Sequence, residues 1–425
     1  MRFAFVTPRY GADVSSGAEH ACRLLAEQVC QRHAVDVLTT CAIDTTTWRN
    51  EYSEGTDRVR GVLVRRFGVN QLRDNVGFQQ LTSRLCSEVH GRDDEQEWVR
   101  QMGPSSPGLI DYLKRQHRAY DAIVFFSLYH PTTVLGMAAA PDHSILFPYL
   151  RLDAPLRFSV WADLVESAKA VGYLSAGERS LMHQFLRVRP TNEEVVGIGV
   201  DTLARQSYPR HQQNPADALS DEDESEEDGD ATLPEEKDYL SGRGIPFRRR
   251  HRLYGSFALY GGRVQPTNGC EEMIEYFDGF SETDGDTSLV LTGVKLMNVP
   301  AEPYVRLAGV VPDRDRMIAY EAATVTVAPD PDDLLAQPVL ESFAVGTPVL
   351  ANARNTASVE LCRNANAGLY YSNRAEFVEA MRVLMTNSKL RERMGESGRE
   401  YVQQHHRWDV VLGRFDRLVT KARSR

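Results

Sequence analysis

The sequence contains no apolar run of the ~18 residues needed to cross a bilayer. It has no C-x-x-C pair either: its six cysteines (Cys22, Cys30, Cys41, Cys86, Cys270 and Cys362) are scattered. Isolated cysteines exclude a zinc ribbon and read as reduced thiols, the pattern of a cytosolic protein. No G-x-G-x-x-G occurs after a strand, which argues against a dinucleotide site. The opening MRFAFVTPRYG lacks the long apolar stretch and small-residue cleavage site of a secretory signal. A surplus of base is missing as well, with 49 Lys and Arg against 59 Asp and Glu. The net charge of -10 is concentrated in residues 217–238, which hold twelve acidic residues and one Lys. Without that block 48 basic and 47 acidic residues remain, so the rest is near neutral and a nucleic-acid partner gains no support.

What is present is globular: 425 residues, 42% hydrophobic and 25% charged, enough for two or three domains. Strand and helix patterns alternate through the first half. Strands are expected at 2–7, 35–39, 62–67, 122–126, 144–147 and 170–174, with a helix at 18–32. The run AIVFF has the continuous apolarity of a parallel strand buried on both faces. Periodicity then stops. SDEDESEEDGD, followed by FRRRHR, reads as a solvated linker or insert over 206–252 that cannot bury enough surface to order itself. A second alternation begins at FALYGG, with strands expected at 288–292, 305–308, 324–328 and 348–351 and helices at 269–280, 314–323 and 338–345. Three helices follow, at 374–386, 390–404 and 409–421. The expected fold is α/β: two doubly wound domains, 1–205 and 253–405, facing across a cleft, with a closing helix in 406–425.

Three segments could carry chemistry. PRYGADVSSGAE joins the first strand to the first helix, and Gly11 and Gly17 let its backbone pass close to a ligand. Gly261-Gly262-Arg263 ends the first strand of the second domain, where a guanidinium could grip a diphosphate bidentately. APDPDDLLAQPVLESFAVGTPVLAN is the most specific. It runs from a strand through an acidic loop into a helix, so its N–H groups suit phosphate, Glu341 suits ribose hydroxyls, and Asp333 suits the hydroxyls of a sugar. Asp330-Pro331-Asp332 has the D-x-D form of metal-dependent transferases but reads as loop acidity, and no metal site is expected. His130 ends a buried strand and is a catalytic candidate at the cleft. His20 could touch an acceptor. His405 and His406 read as surface residues of the tail.

PVLESFAVGTPVLAN resembles the donor-site signature of the family 4 retaining glycosyltransferases, which have the two-domain GT-B fold. SSGAEHACRLLAEQV, GYLSAGERSLMHQF, YGGRVQPTNG, VRLAGVVPDRDRMIAYEAATVTVAP and RERMGESGREYVQQHHRWDVV resemble further family segments in the same order. The resemblance implies sugar transfer with retention from a UDP- or GDP-linked donor to a hydroxyl acceptor, a lipid-linked glycan among the candidates, without a further cofactor. It implies donor contacts from Gly17, Arg263, Asn268, Val310, Leu340 and Glu341, with Asp333, Arg263 and His130 nearest the reaction. Peripheral contact with the inner face of a membrane stays open.

Three departures stand out. Asn268 occupies the position of a Lys that helps neutralise the diphosphate. Asp333 replaces the first Glu of the family's Glu-x7-Glu. The segment FPYLRLDAPLRF lacks the His that lies beside the reacting sugar, leaving Arg151 or Asp153 to fill that space. These departures keep a second reading open, that of a weak or inactive homologue that binds a glycan or nucleotide-sugar.

Overall fold

The computed structural model describes residues 1–12, 14, 17–151, 153–201, 244–283 and 286–424. Most of the expected insert, including its acidic block, lies outside them. The first sheet comprises β1 (Arg2–Val6), β2 (Ala34–Thr40), β3 (Gly55–Val59), β4 (Val62–Phe67), β5 (Ala122–Phe126), β6 (Ser144–Phe147), β7 (Ala170–Tyr173) and β8 (Glu193–Val195). Its order is β3-β4-β2-β1-β5-β6-β7-β8, and only β3 is antiparallel to its neighbour. The second sheet comprises β9 (Phe257–Gly261), β10 (Ser288–Thr292), β11 (Val305–Gly309), β12 (Val325–Ala328), β13 (Val349–Asn352) and β14 (Gly368–Tyr371). It is parallel throughout, in the order β11-β10-β9-β12-β13-β14.

Helices pack on both faces of each sheet, which is why β5 is buried at every position. The strand order reverses between β1 and β5 and again between β9 and β12. Ligand crevices open at such points, beyond the carboxyl ends of the strands.

The last helix, Trp408–Arg423, returns to the first domain. Val411, Phe415, Leu418 and Ala422 recur at helical spacing and are buried. Phe415 meets Phe3 edge-on at 5.6 Å and stacks on Phe5 at 6.1 Å. A Cβ on Gly172 would stand 2.8 Å from Leu418 and 2.5 Å from Phe147, so the helix lies on β7 only because that position has no side chain. Burying each large apolar residue here contributes about 1.5–3 kcal/mol. His406, expected at the surface, is buried where the chain crosses between domains, and its Nδ1 lies 3.0 Å from the Ile198 carbonyl.

Helix Ile245–His251 is a further correction, because it falls inside the expected solvated insert. Its charge run hides one apolar anchor, Phe247, buried between His251 at 4.5 Å and Phe257 at 6.3 Å. Arg248 donates to the carbonyls of Ala322 and Gly255, so the stem of a "surface" arginine closes the amino end of the second sheet.

Candidate functional site

The acidic loop after β12 reaches helix Gln337–Val345 through Ala336, which takes a left-handed φ of 46°. Two asparagines, one ending β13 and one just beyond it, hold this loop. Asn352 Nδ2 donates to the Pro329 carbonyl at 3.1 Å. Asn355 Nδ2 donates to the carbonyls of Asp330 at 2.8 Å and Asp333 at 3.0 Å. Asp333 Oδ1 accepts the Leu335 N–H at 3.1 Å, and burial raises its carboxyl above the usual range. Asp330 Oδ1 accepts the Asp332 N–H at 2.9 Å, and burial, with help from Asp333 and Asp332, lifts it to about 6. The Asp330 carboxylate thus serves the turn itself.

Arg263 follows the carboxyl end of β9 and is exposed, while its carbonyl accepts the Tyr260 hydroxyl at 2.8 Å. Asn268 Oδ1 accepts from Gln265 Nε2 at 2.7 Å. The next residue, Gly269, has φ +71°, and a Cβ there would lie 2.4 Å from the Pro329 carbonyl. Helix Cys270–Ser281 therefore starts directly against the acidic loop, and Arg263, Asn268 and the loop share one end of the sheet.

Glu341 is only 4% exposed. Its Oε2 accepts Arg316 Nε at 3.0 Å, and its Oε1 accepts Arg316 Nη2 at 2.7 Å and Gln337 Nε2 at 2.8 Å. The sequence reading missed Arg316, which sits in the charge-rich run PDRDR with nothing to mark its partner 25 residues away. Val310 is exposed just after β11. Leu340, expected at the donor, is instead a core residue, and its N–H already bonds the Ala336 carbonyl at 3.1 Å.

On the facing domain, Gly17 opens helix Gly17–Val29 with φ +75°. Glu19, buried just inside, accepts Arg9 Nε at 3.1 Å. His20 is buried, with its Nδ1 3.2 Å from Arg23 Nη2. His130 donates from Nδ1 to the Gly103 carbonyl at 2.7 Å and packs edge-on against Trp48. Burial pushes its imidazole down to about 4, and it heads helix Pro131–Ala139.

The two candidates for the place of the missing His pair with each other, Arg151 Nη2 to Asp153 Oδ2 at 2.8 Å. Tyr149 takes the prominent place. It follows β6 with φ +50°, and it packs against the apolar cluster that runs through both domains. A left-handed backbone at a bulky residue costs roughly 1–2 kcal/mol. Its phenol is pushed well up by burial and then by the carboxylates of Asp333, Glu19 and Glu178. Asp333 belongs to the second domain and Glu19 to the first, so Tyr149 stands at the cleft between them. Leu334 packs against apolar residues of the first domain from the acidic loop. Behind it, a cavity of about 410 Å³ is lined from both sides, by Ser175 and Arg179 and by Ala336, Glu360 and Tyr401.

The comparisons agree with this architecture. Sucrose-phosphate synthase of Thermosynechococcus elongatus is 15% identical and superimposes with a TM-score of 0.64 over 99% of both chains. HepE of Anabaena, in complex with UDP and glucose, is 13% identical, with a TM-score of 0.67 over 99% of both. WaaG, a glycosyltransferase involved in lipopolysaccharide biosynthesis, is 14% identical, with a TM-score of 0.56 over 97% of this chain and 98% of its own. Residues 246–401 match the family described as Glycosyl transferases group 1. That match covers the second domain, and over its length the chain has the two-domain GT-B fold.

Proposed function

We propose that this glycosyltransferase moves a sugar from a UDP-linked donor to a hydroxyl acceptor with retention of anomeric configuration, as the family 4 resemblance implies. The observation that carries this reading is the end of the second sheet. There Arg263, the loop holding Asp333, and Glu341 line up from β9 to helix Gln337–Val345, opposite Tyr149 and Glu19. Solved structures of Anabaena HepE with UDP, with UDP and glucose, and with UDP-glucose support the choice of nucleotide.

In this mechanism the acceptor oxygen bonds to the anomeric carbon on the face from which the diphosphate departs. The bond from that carbon to the phosphate oxygen breaks, its electron pair leaves with the diphosphate, and a diphosphate oxygen takes the acceptor's proton. Arg263 and the positive end of the dipole of helix Gln337–Val345 offset the charge that develops on the leaving group. Glu341 accepts a ribose hydroxyl and Asp333 a hydroxyl of the transferred sugar.

As the resemblance implies, the proposed reaction needs no divalent cation, and the Asp330 carboxylate accepts the Asp332 N–H within its own turn. Among the described residues no helix is long and apolar enough to cross a membrane.

The test is a thermal-shift screen of nucleotide sugars followed by transfer assays with and without EDTA. A true donor raises the melting temperature by mass action. Activity that EDTA leaves intact and Arg263→Ala or Glu341→Ala abolishes supports the reading. Stabilisation by a nucleotide sugar without turnover would instead favour the binding homologue, for which Asn268 in place of a Lys is the motive.

A further inference from the structure

Tyr149 is a strained residue with a defined restraint. The left-handed region is rare for a bulky side chain and persists only where neighbours over-determine it. Here the restraint is Glu178, which is 1% exposed. Its Oε1 accepts the Leu150 N–H, next to Tyr149, at 3.1 Å and its Oε2 the Leu174 N–H at 2.7 Å. One carboxylate therefore ties the segment after β6 to the segment after β7. Glu178 is itself fixed at the start of helix Ala176–Leu181, where its N–H donates to Ser175 Oγ at 3.0 Å. On the far side, Tyr129 brackets Arg151: its hydroxyl accepts the Arg151 N–H at 3.0 Å and lies 3.2 Å from the Arg151 carbonyl.

Tyr149 so held packs against the apolar cluster to which both domains contribute. The phenol makes no hydrogen bond to any described residue, although the carboxylates of Asp333 and Glu19 act on it from the two domains. A neutral phenol donates and a carboxylate accepts. A sugar hydroxyl lying between Tyr149 and Asp333 could therefore accept from one and donate to the other, satisfying both of its functions.

We propose that Tyr149 contacts the transferred sugar, donating from its phenol to a hydroxyl that Asp333 also binds, and that Glu178 is the positioning residue that holds Tyr149 in its left-handed backbone. This rests on the transferase reading of Asp333. It replaces Arg151 and Asp153 as the groups expected beside the reacting sugar, and it gives the buried Glu178 a purpose.

The experiment compares wild type, Tyr149→Phe, Tyr149→Asn and Glu178→Gln in transfer from UDP-glucose, with UDP affinity and melting temperature measured alongside. Tyr149→Phe should lower kcat/KM about 10- to 100-fold while UDP binds as before, because the product lacks the sugar. A series of singly deoxygenated UDP-glucose donors should contain one member whose kcat/KM is the same in wild type and Tyr149→Phe, marking the hydroxyl concerned. Asparagine tolerates left-handed backbone, so Tyr149→Asn should fold, with a melting temperature lowered only by the lost ring packing, and lose transfer. Glu178→Gln should lower kcat/KM with UDP affinity kept; if it fails to fold, the Tyr149 variants decide alone. A Tyr149→Phe enzyme with wild-type kcat/KM overturns the proposal and leaves the transferase reading standing. A wild type that neither binds nor turns over any nucleotide sugar overturns both.

Discussion

Arg316 grips Glu341 through two parallel hydrogen bonds, Nε to Oε2 at 3.0 Å and Nη2 to Oε1 at 2.7 Å. Gln337 adds a third bond, to Oε1. The carboxylate that the donor ribose would use is therefore oriented before any donor arrives, with Oε2 the less occupied oxygen. Charge-assisted bidentate pairs are strong and directional, and a buried carboxylate that loses its partner becomes harder to ionise. Arg316→Met should raise the donor KM about tenfold, equivalent to ~1.4 kcal/mol, with a smaller effect on kcat. Arg316→Lys should fall between, since an ammonium keeps the charge but not the fork. Steady-state kinetics in donor concentration check this, and an unchanged KM would show that Glu341 needs no clamp.

Asn268 stands where the family has a second cation for the leaving diphosphate. Its present role is local, accepting from Gln265. Asn268→Lys should increase kcat, by up to about 100-fold if the ammonium reaches the diphosphate. Single-turnover rates at saturating donor measure this, and a slower enzyme would mean that the leaving group is already neutralised by other means.

Burial holds His130 and His406 neutral down to about 4, against an ordinary value near 6.5. The folded state thus resists a proton that the unfolded state accepts. Stability is full above pH 6.5 and falls as pH drops from 6.5 through 4. For His130 the loss reaches about 3 kcal/mol at the acid end, at 1.36 kcal/mol per pH unit of depression. His130→Asn, which keeps a donor toward the Gly103 carbonyl, should flatten the acid limb of melting temperature against pH and retain most transfer activity. A His130 that titrates near 6.5 by NMR would contradict this, as would a His130→Asn enzyme without activity.

The returning helix is secured mainly by its apolar face. Leu418→Ala should cost about 3 kcal/mol in guanidinium unfolding, by the usual cost of emptying a core site. Arg417→Ala, which removes an exposed ion pair with Glu194, should cost less than about 1 kcal/mol. Equal losses would mean that the ion pairs, and not the packing, hold the helix.

Much of the fold was legible because runs such as AIVFF and FALYGG state their own burial. The strand–loop–helix string ending in PVLESFAVG states its turn chemistry as well. β3 escaped because four of its five residues are exposed, and β8 because it is three residues long. Helix Ile245–His251 escaped because a single buried Phe247 sits among arginines.

The candidate site was legible as places along the strands but less so in its partners. Asp333, Arg263 and Asn268 follow strands of the second sheet, as the alternation in the sequence expects. The partnerships of Arg316, Tyr149 and Glu178 were not legible because periodicity reports which face a residue is on, not what it will meet across the fold. Nor was the burial of His130 and His20, since a lone histidine looks alike in sequence whether it is buried or exposed.

The central claim is transfer from a nucleotide sugar with retention, and proton NMR tests it most directly. The enzyme is incubated with UDP-α-glucose, without acceptor and then with candidate glycan acceptors, and the anomeric signals are followed from the first minutes. We expect UDP to be released and α-configured glucose, free or acceptor-linked, to appear before any β form, with both signals lost in Asp333→Asn. First formation of the β anomer, or no UDP release from any member of a nucleotide-sugar panel, would contradict the claim.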